Sequence, residues 1–459
     1  MIKTRTSLNF QQSKWAWWLM GLSLAIVVGL VFIKEYSLAG IAVVVITIIA
    51  SLIKPVYGVV IAIAYFTCDQ FISGISPDTL TFGRYLIILN IIFCLPKFLS
   101  HSQVDNSIGQ QFYLYFLLLF LGSISLIWAE HFDRGAIYLM KLAVFIVWGR
   151  LVIPLLANKE LLTSLSGLMC VITSLIALIF LFGGVGRVSH INDRLLLEGL
   201  GINSIATSFG FVIVFSSLYF RSCAPLLRKL CLLISNMLIY LAIILMGTRS
   251  VAFGVPFALI AAVFFLKPEF LLKHLSLAII VAGLSVAGLL VAVHSGLISE
   301  RLYERFFGLT DIQVYTKNSR VDLAKHSISY VLNNPIGSGV GSEHKVFENY
   351  SYNVPLYESH NTYVSTMVQF GLQGFFVLLT ALALFFINNI KISDPKYRYY
   401  CISLLIYFLI ILLKASLLQT RLFWIPMIIM LASVEWYNRS KKRKGIPDCK
   451  KTYINKHDH

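Results

Sequence analysis

The sequence predicts an all-α polytopic membrane protein of about 12–14 transmembrane helices, with a long, partly helical loop on one side. Three observations carry this. Hydrophobic residues make up 58% of the 459-residue chain and charged residues 13%, roughly half of the 25% or so that a soluble surface carries. The apolar residues come in blocks long enough to cross a bilayer's hydrocarbon core. The formal net charge of +17 gathers on one side of those blocks, which orients them. Together these exclude a soluble enzyme, a secreted disulfide scaffold and a disordered chain.

Fourteen spans follow in order: roughly 15–33, 38–53, 55–71, 85–98, 112–128, 135–155, 162–183, 202–220, 230–247, 250–266, 275–293, 362–387, 399–413 and 422–437. Lys3, Arg5 and Lys14 precede the first, which is too long for a secretory h-region and lacks an A-x-A site, so it is read as a retained helix. Trp15, Trp17 and Trp18 suit its interface. The spans 38–53 and 85–98 are short enough to be re-entrant. With a cytoplasmic N-terminus, the cytoplasmic segments hold 23 Lys+Arg against 7 Asp+Glu, and the outer ones 14 against 14. That is the positive-inside pattern. Both termini are then cytoplasmic, and no nucleic-acid partner is needed to explain the charge. The organisation expected is helices 1–11 over residues 1–293, a large outer loop at 294–361, helices 12–14 over 362–437, and a basic tail at 438–459 anchored on membrane lipids through Arg439–Lys444.

Most outer connections are short, such as Lys34–Ser37, Glu130–Arg134 and Thr248–Ser250. Residues 184–201 and 294–361 are longer, and loops of that length are usually functional when they are not disordered. Within the second, Ser319 reads as an N-cap. The helix it starts carries Val321, Ala324, Ile328, Val331 and Leu332 on one face and ends at Asn333-Asn334-Pro335. Gly337-Ser338-Gly339-Val340-Gly341 lacks the Lys-Ser/Thr of a phosphate loop and reads as a flexible turn. The cysteines and histidines show no metal-ligand spacing, so neither a metal nor a cofactor is expected.

Charges at the lips of apolar spans are the informative ones, because burying them in lipid is expensive. Arg249 lies in Gly247-Thr248-Arg249-Ser250, wedged between two apolar spans. Lys141 lies about two turns into the sixth span. Arg249, Arg320 and His360 all fall on the outer side near helix ends. Two guanidiniums suit bidentate phosphate oxygens, and an imidazole titrates near neutral pH. A histidine that simply starts a helix is the competing reading for His360.

Gly247-Thr248-Arg249-Ser250, then Ser319-Arg320 running to Asn334-Pro335-Ile336-Gly337-Ser338-Gly339-Val340-Gly341, then Ser359-His360-Asn361-Thr362-Tyr363 followed by Gln369-Phe370-Gly371-Leu372-Gln373-Gly374, resemble in order the O-antigen ligase and polymerase superfamily of bacterial inner-membrane glycosyltransferases. Gly201-Ile202-Asn203 resembles that family's Asn-containing segment. The likeness covers mainly residues 200–380. It implies a helical fold of the type-C glycosyltransferase kind and a metal-independent, inverting transfer. In that reading Arg249 and Arg320 hold the lipid-linked diphosphate and His360 activates the acceptor, with Asn203 and Asn361 in support; Lys141, singled out by its place inside a span, could support them by pairing with a carboxylate or binding an anion. His326 and His344 lie outside the motif and are expected to matter less. The implied partners are an undecaprenyl-diphosphate-linked glycan donor, a glycan or lipid A–core acceptor, and a chain-length regulator. The short first outer loop argues against mannosyltransferase chemistry. Polymerisation of repeat units is the favoured activity, ligation to lipid A–core the alternative, and a lipid-linked oligosaccharide transporter the competing class.

Overall fold

The computed structural model describes residues 26–27, 29–30, 35–67, 69, 71, 82–101, 106–182, 187–189, 194–196, 202–220, 226–265, 320–348, 359 and 361–443. Chain order runs α1 (Tyr36–Ile53), α2 (Pro55–Ala64), α3 (Phe82–His101), α4 (Asn106–Ser125), α5 (Phe132–Leu156), α6 (Lys159–Phe182), a hairpin of β1 (Arg187–Ser189) and β2 (Arg194–Leu196), α7 (Ile202–Phe220), α8 (Leu226–Leu245), and α9 (Arg249–Ala261). After the 294–319 stretch, which lies outside the described residues, come α10 (Arg320–Asn333), α11 (Glu343–Glu348), α12 (Thr362–Ile390), α13 (Pro395–Leu412) and α14 (Arg421–Arg443). The expected all-α membrane architecture is what the chain adopts. Five helical segments, Ile108–Ser125, Phe132–Leu156, Lys159–Phe182, Leu226–Leu245 and Thr362–Ile390, are long and apolar enough to cross a membrane. The expected spans 15–33 and 275–293 fall outside the described residues, apart from four helical positions at the end of the first. The two short spans form uninterrupted helices of 18 and 20 residues, the second about 30 Å long at the usual rise.

Burial follows from how apolarity is distributed around each helix. In α14 every residue from Leu422 to Glu435 is buried, the mark of a helix surrounded by others. Its Trp424 stacks on Phe145 of α5 at 6.0 Å and meets Tyr115 of α4 edge-on at 5.2 Å. By contrast α1 exposes Leu38, Ile41, Val45, Ile49 and Leu52, and α8 exposes Leu226, Leu230, Leu233, Met237 and Leu241. Both stripes recur at helical spacing, which is how a bundle presents itself to acyl chains.

Contacts sort the connections into two ends. At one, Lys159 lies over the rings of Tyr397 and Trp436, and Arg439 donates to the Pro154 carbonyl at 3.2 Å. At the other lie the α4–α5 turn, the Gly337–Gly341 segment, the start of α12 and the α13–α14 loop. There Thr362 bonds Ala415 and Leu417, and Asp69 pairs with Arg421 while accepting from Gly83 N at 2.8 Å.

The helix after Ser319 forms and packs through Leu323, Ser327 and Val331 against Met367 and Val368 of α12 and Val346 and Phe347 of α11. Of the face read from the sequence, Val331 is buried, while Ile328 and Leu332 are 47% and 71% exposed. The helix carries two apolar stripes, and α12 takes the one whose central residue, Ser327, is small and satisfies its own hydroxyl on the Leu323 carbonyl at 2.7 Å. Close approach decides the face, not total hydrophobicity.

Candidate functional site

The site is built on glycines that let the chain turn where side chains could not. Beyond Asn334-Pro335, Gly337, Gly339 and Gly341 all have φ near +85°, a region open to glycine at little cost. A Cβ on Gly341 would lie 2.5 Å from Gly135 N, so the segment can touch α5 only as glycine. α12 answers with its own break: Gly371 has φ +73° inside the helix. Leu372 N donates to the Pro335 carbonyl at 2.9 Å, and Ser338 N donates to Val368 O at 2.8 Å. Val340 N donates to Ser125 Oγ at 3.1 Å, and Ser342 Oγ accepts from Glu130 N at 2.9 Å. The flexible turn expected here is instead a strap fastened between α4, α5 and α12, because the glycine turns aim successive N–H groups at acceptors on those helices.

The strap delivers Glu343 to the middle of the site. Only 6% exposed, its carboxylate accepts from Ser359 N at 2.9 Å, Ser365 Oγ at 2.7 Å and Gln369 Nε2 at 3.0 Å. A buried charge is tolerable when hydrogen bonds replace its water. Gln369 also accepts from Gly341 N at 3.0 Å. Two residues beyond Ser359, Asn361 caps α12 by accepting from Tyr363 N at 2.9 Å and Val364 N at 3.2 Å, as short amide side chains do at an N-cap. The chain on both sides of position 360 is therefore pinned. His360 itself lies outside the described residues.

Beside this network is a cavity of about 280 Å³. α5 contributes Arg134, Tyr138 and Lys141 at positions i, i+4 and i+7, which share one face of a helix. Glu343, His344, Thr362, Ser365 and Gln369 form the facing wall, and Ser416–Gln419 close it. The Asp69–Arg421 ion pair fixes the start of α14 and so the end of that closing loop. The rings of His131 and His344 approach to 4.4 Å.

The residues singled out in the sequence distribute unevenly around this cavity. Lys141 lines it. Asn361 caps the helix that begins at its wall. Arg249 is the first residue of α9, half-buried, behind a turn in which Gly247 has φ +65°. Its neighbour Thr248 donates to Asn203 Oδ1 at 3.5 Å, so Arg249 and Asn203 come together at adjacent helix starts. Neither lines the cavity. Arg320 opens α10. His344, expected to matter less, is in the wall, whereas His326 Nε2 bonds the Val346 carbonyl at 3.0 Å. Glu343 and Arg134 were missed. The one sequence signal for Glu343 was a carboxylate next to the glycine run; its partners lie 16 to 26 residues away. Among the described residues, no group of three His, Cys, Asp or Glu side chains could hold a metal ion.

Residues 234–379 match the family model described as O-antigen ligase. The match runs from α8 into α12 and takes in Arg249, Arg320, the strap, His360 and Gly371. No curated protein matches the chain.

Proposed function

We propose that this membrane protein, whose residues 234–379 match the O-antigen ligase family model, transfers a saccharide from an undecaprenyl-diphosphate-linked donor to an acceptor hydroxyl at the outer leaflet of the bacterial inner membrane, polymerising O-antigen or related repeat units. One observation carries the reading: Ser359 and Gln369, from two separated motif pieces, both donate to the carboxylate of Glu343 in the cavity wall, and Gly341, from a third, donates to Gln369. Motif residues that meet only in three dimensions, at the end of a bundle where an extended lipid could lie alongside, suit a lipid-linked substrate.

In this reading the acceptor oxygen attacks the anomeric carbon from the face opposite the diphosphate, and the configuration inverts. The acceptor's proton passes to the imidazole of His360. The bonding electrons leave with undecaprenyl diphosphate, whose growing charge Arg249 and Arg320 neutralise without a metal. Asn361 and Asn203 hold the helix starts next to these groups. The outer side is the cavity end, both termini being cytoplasmic.

Ligation to lipid A–core is the second reading, favoured by the description of the matched family. Purified protein supplied with a synthetic undecaprenyl-diphosphate repeat unit decides between them. A ladder of longer lipid-linked products without lipid A–core is the polymerase outcome. Product formed only when lipid A–core is added makes the protein a ligase, and no transfer to either acceptor ends the proposal.

A further inference from the structure

We infer that the cavity between α5, the strap and α12 is a subsite for an acidic sugar, a pyranose bearing a carboxylate, on the glycan that this protein handles. The inference rests on the saccharide-transfer reading and adds the substrate's charge to it. At about 280 Å³, the cavity is at the small end for ligand pockets, and matches one sugar ring better than a lipid chain or a long glycan. Its wall contains two cations, Arg134 and Lys141, and one carboxylate, Glu343. By formal charge, these two cations outnumber that one carboxylate.

The placement of the cations favours a ligand role. Arg134 is exposed at the mouth and Lys141 half-buried two turns deeper along α5. A lysine inside an apolar spanning helix is costly and generally faces a polar cavity with work to do. An arginine fork fits a carboxylate in bidentate fashion. Between the two cations lies Tyr138, an apolar surface for a sugar ring. Ser416, across the cavity, has a buried hydroxyl with no hydrogen-bond partner among the described residues, and Gln419 adds an amide. Hydroxyl and amide groups suit sugar hydroxyls, which a diphosphate does not have. Arg249, the residue assigned to the diphosphate, stands outside this cavity.

The test uses full-length protein in nanodiscs and three probes: methyl glucuronide, methyl glucoside and inorganic pyrophosphate, each titrated by calorimetry or ligand-observed NMR. The first two differ only in the carboxylate. Glucuronide is expected to bind about tenfold or more tightly than glucoside, as one good charged contact allows. Arg134→Gln and Lys141→Gln should each bring it down towards the glucoside value while glucoside binding stays put. Arg134→Lys should restore part of the preference. If Lys141→Gln does not fold, Arg134→Gln at the exposed mouth carries the test alone. Equal binding of the two glycosides overturns the inference. So does a loss of pyrophosphate, rather than glucuronide, in Arg134→Gln, which would make the cavity the diphosphate site. Transfer of wholly neutral lipid-linked sugars at full rate would overturn the acidic-sugar assignment and leave saccharide transfer standing. Absence of transfer with preserved glucuronide selectivity would do the reverse.

Discussion

At the scale of single residues, the proposed mechanism divides the work between Glu343, which holds, and Arg249, Arg320 and His360, which react. Glu343 has three donors and little solvent. Truncating it leaves those donors buried, and hydrogen bonds to a charged group are worth about 1.5–3 kcal/mol each before compensation. Glu343→Ala is expected to cost on the order of 3 kcal/mol of stability, seen as a lower melting temperature in detergent, with transfer falling as the chain beside position 360 loosens. Glu343→Gln keeps the shape but turns an acceptor into a donor facing Ser365 and Gln369, and should recover only part of either. A melting temperature unchanged in Glu343→Ala would mean that the network does not secure the strap.

The reacting residues should separate by assay. Arg249→Ala and Arg320→Ala are expected to weaken retention of the lipid-linked donor and to slow turnover by about 10²–10³, the usual effect of losing one donor to a developing anion. His360→Ala should retain donor and lose about 10²–10⁴ in turnover, as for a general base. Normal turnover in His360→Ala would reduce His360 to a helix-start residue. His326, engaged with the Val346 carbonyl, should affect stability and leave turnover alone.

Among elements, the strap and the break in α12 depend on each other. Gly371 is left-handed, and a Cβ there would come within 2.5 Å of the Ile336 carbonyl carbon. Left-handed backbone alone costs a substituted residue about 1–2 kcal/mol, and the clash must push the strap away as well. Gly371→Ala should therefore destabilise by at least that much and open the 335–348 segment to protease. Gly109, in the first turn of α4, meets nothing within 4 Å. Gly109→Ala should be neutral or stabilising by up to about 1 kcal/mol, since alanine is the better helix former. Equal melting temperatures for the two variants would show that the strap tolerates displacement.

For the molecule as a whole, the proposed orientation rests on charge. The end holding Lys159 and Arg439 is the one the positive-inside pattern would assign to the cytoplasm, and the proposal then has the cavity outside. A reporter fused after Lys345 should read extracytoplasmic and one after Lys444 cytoplasmic. A cytoplasmic signal at Lys345 would place the cavity on the wrong side for an outer-leaflet donor and remove the transfer mechanism with it.

The helices were legible from local pattern because a spanning helix must satisfy its backbone within itself and cover itself with apolar side chains. The span read at 202–220 is the helix Ile202–Phe220, and the one read at 38–53 is Tyr36–Ile53. Arg249 was visible for a similar reason: a charge between apolar blocks stands out within a few residues, whereas Asn361 entered only as part of the Ser359–Tyr363 motif. The site was not visible in this way. Ser342 accepts a bond from Glu130, 212 positions away, and Val340 donates to Ser125, 215 away. The stripe that α10 buries depended on which one α12 could approach. Arg134 and Lys141 could be placed on one face of α5 by spacing, yet nothing local said that a cavity lay against that face. Periodicity records what a segment does with its own neighbours; a cavity wall is assembled from segments that meet only after the helices pack, and packing chose the partners.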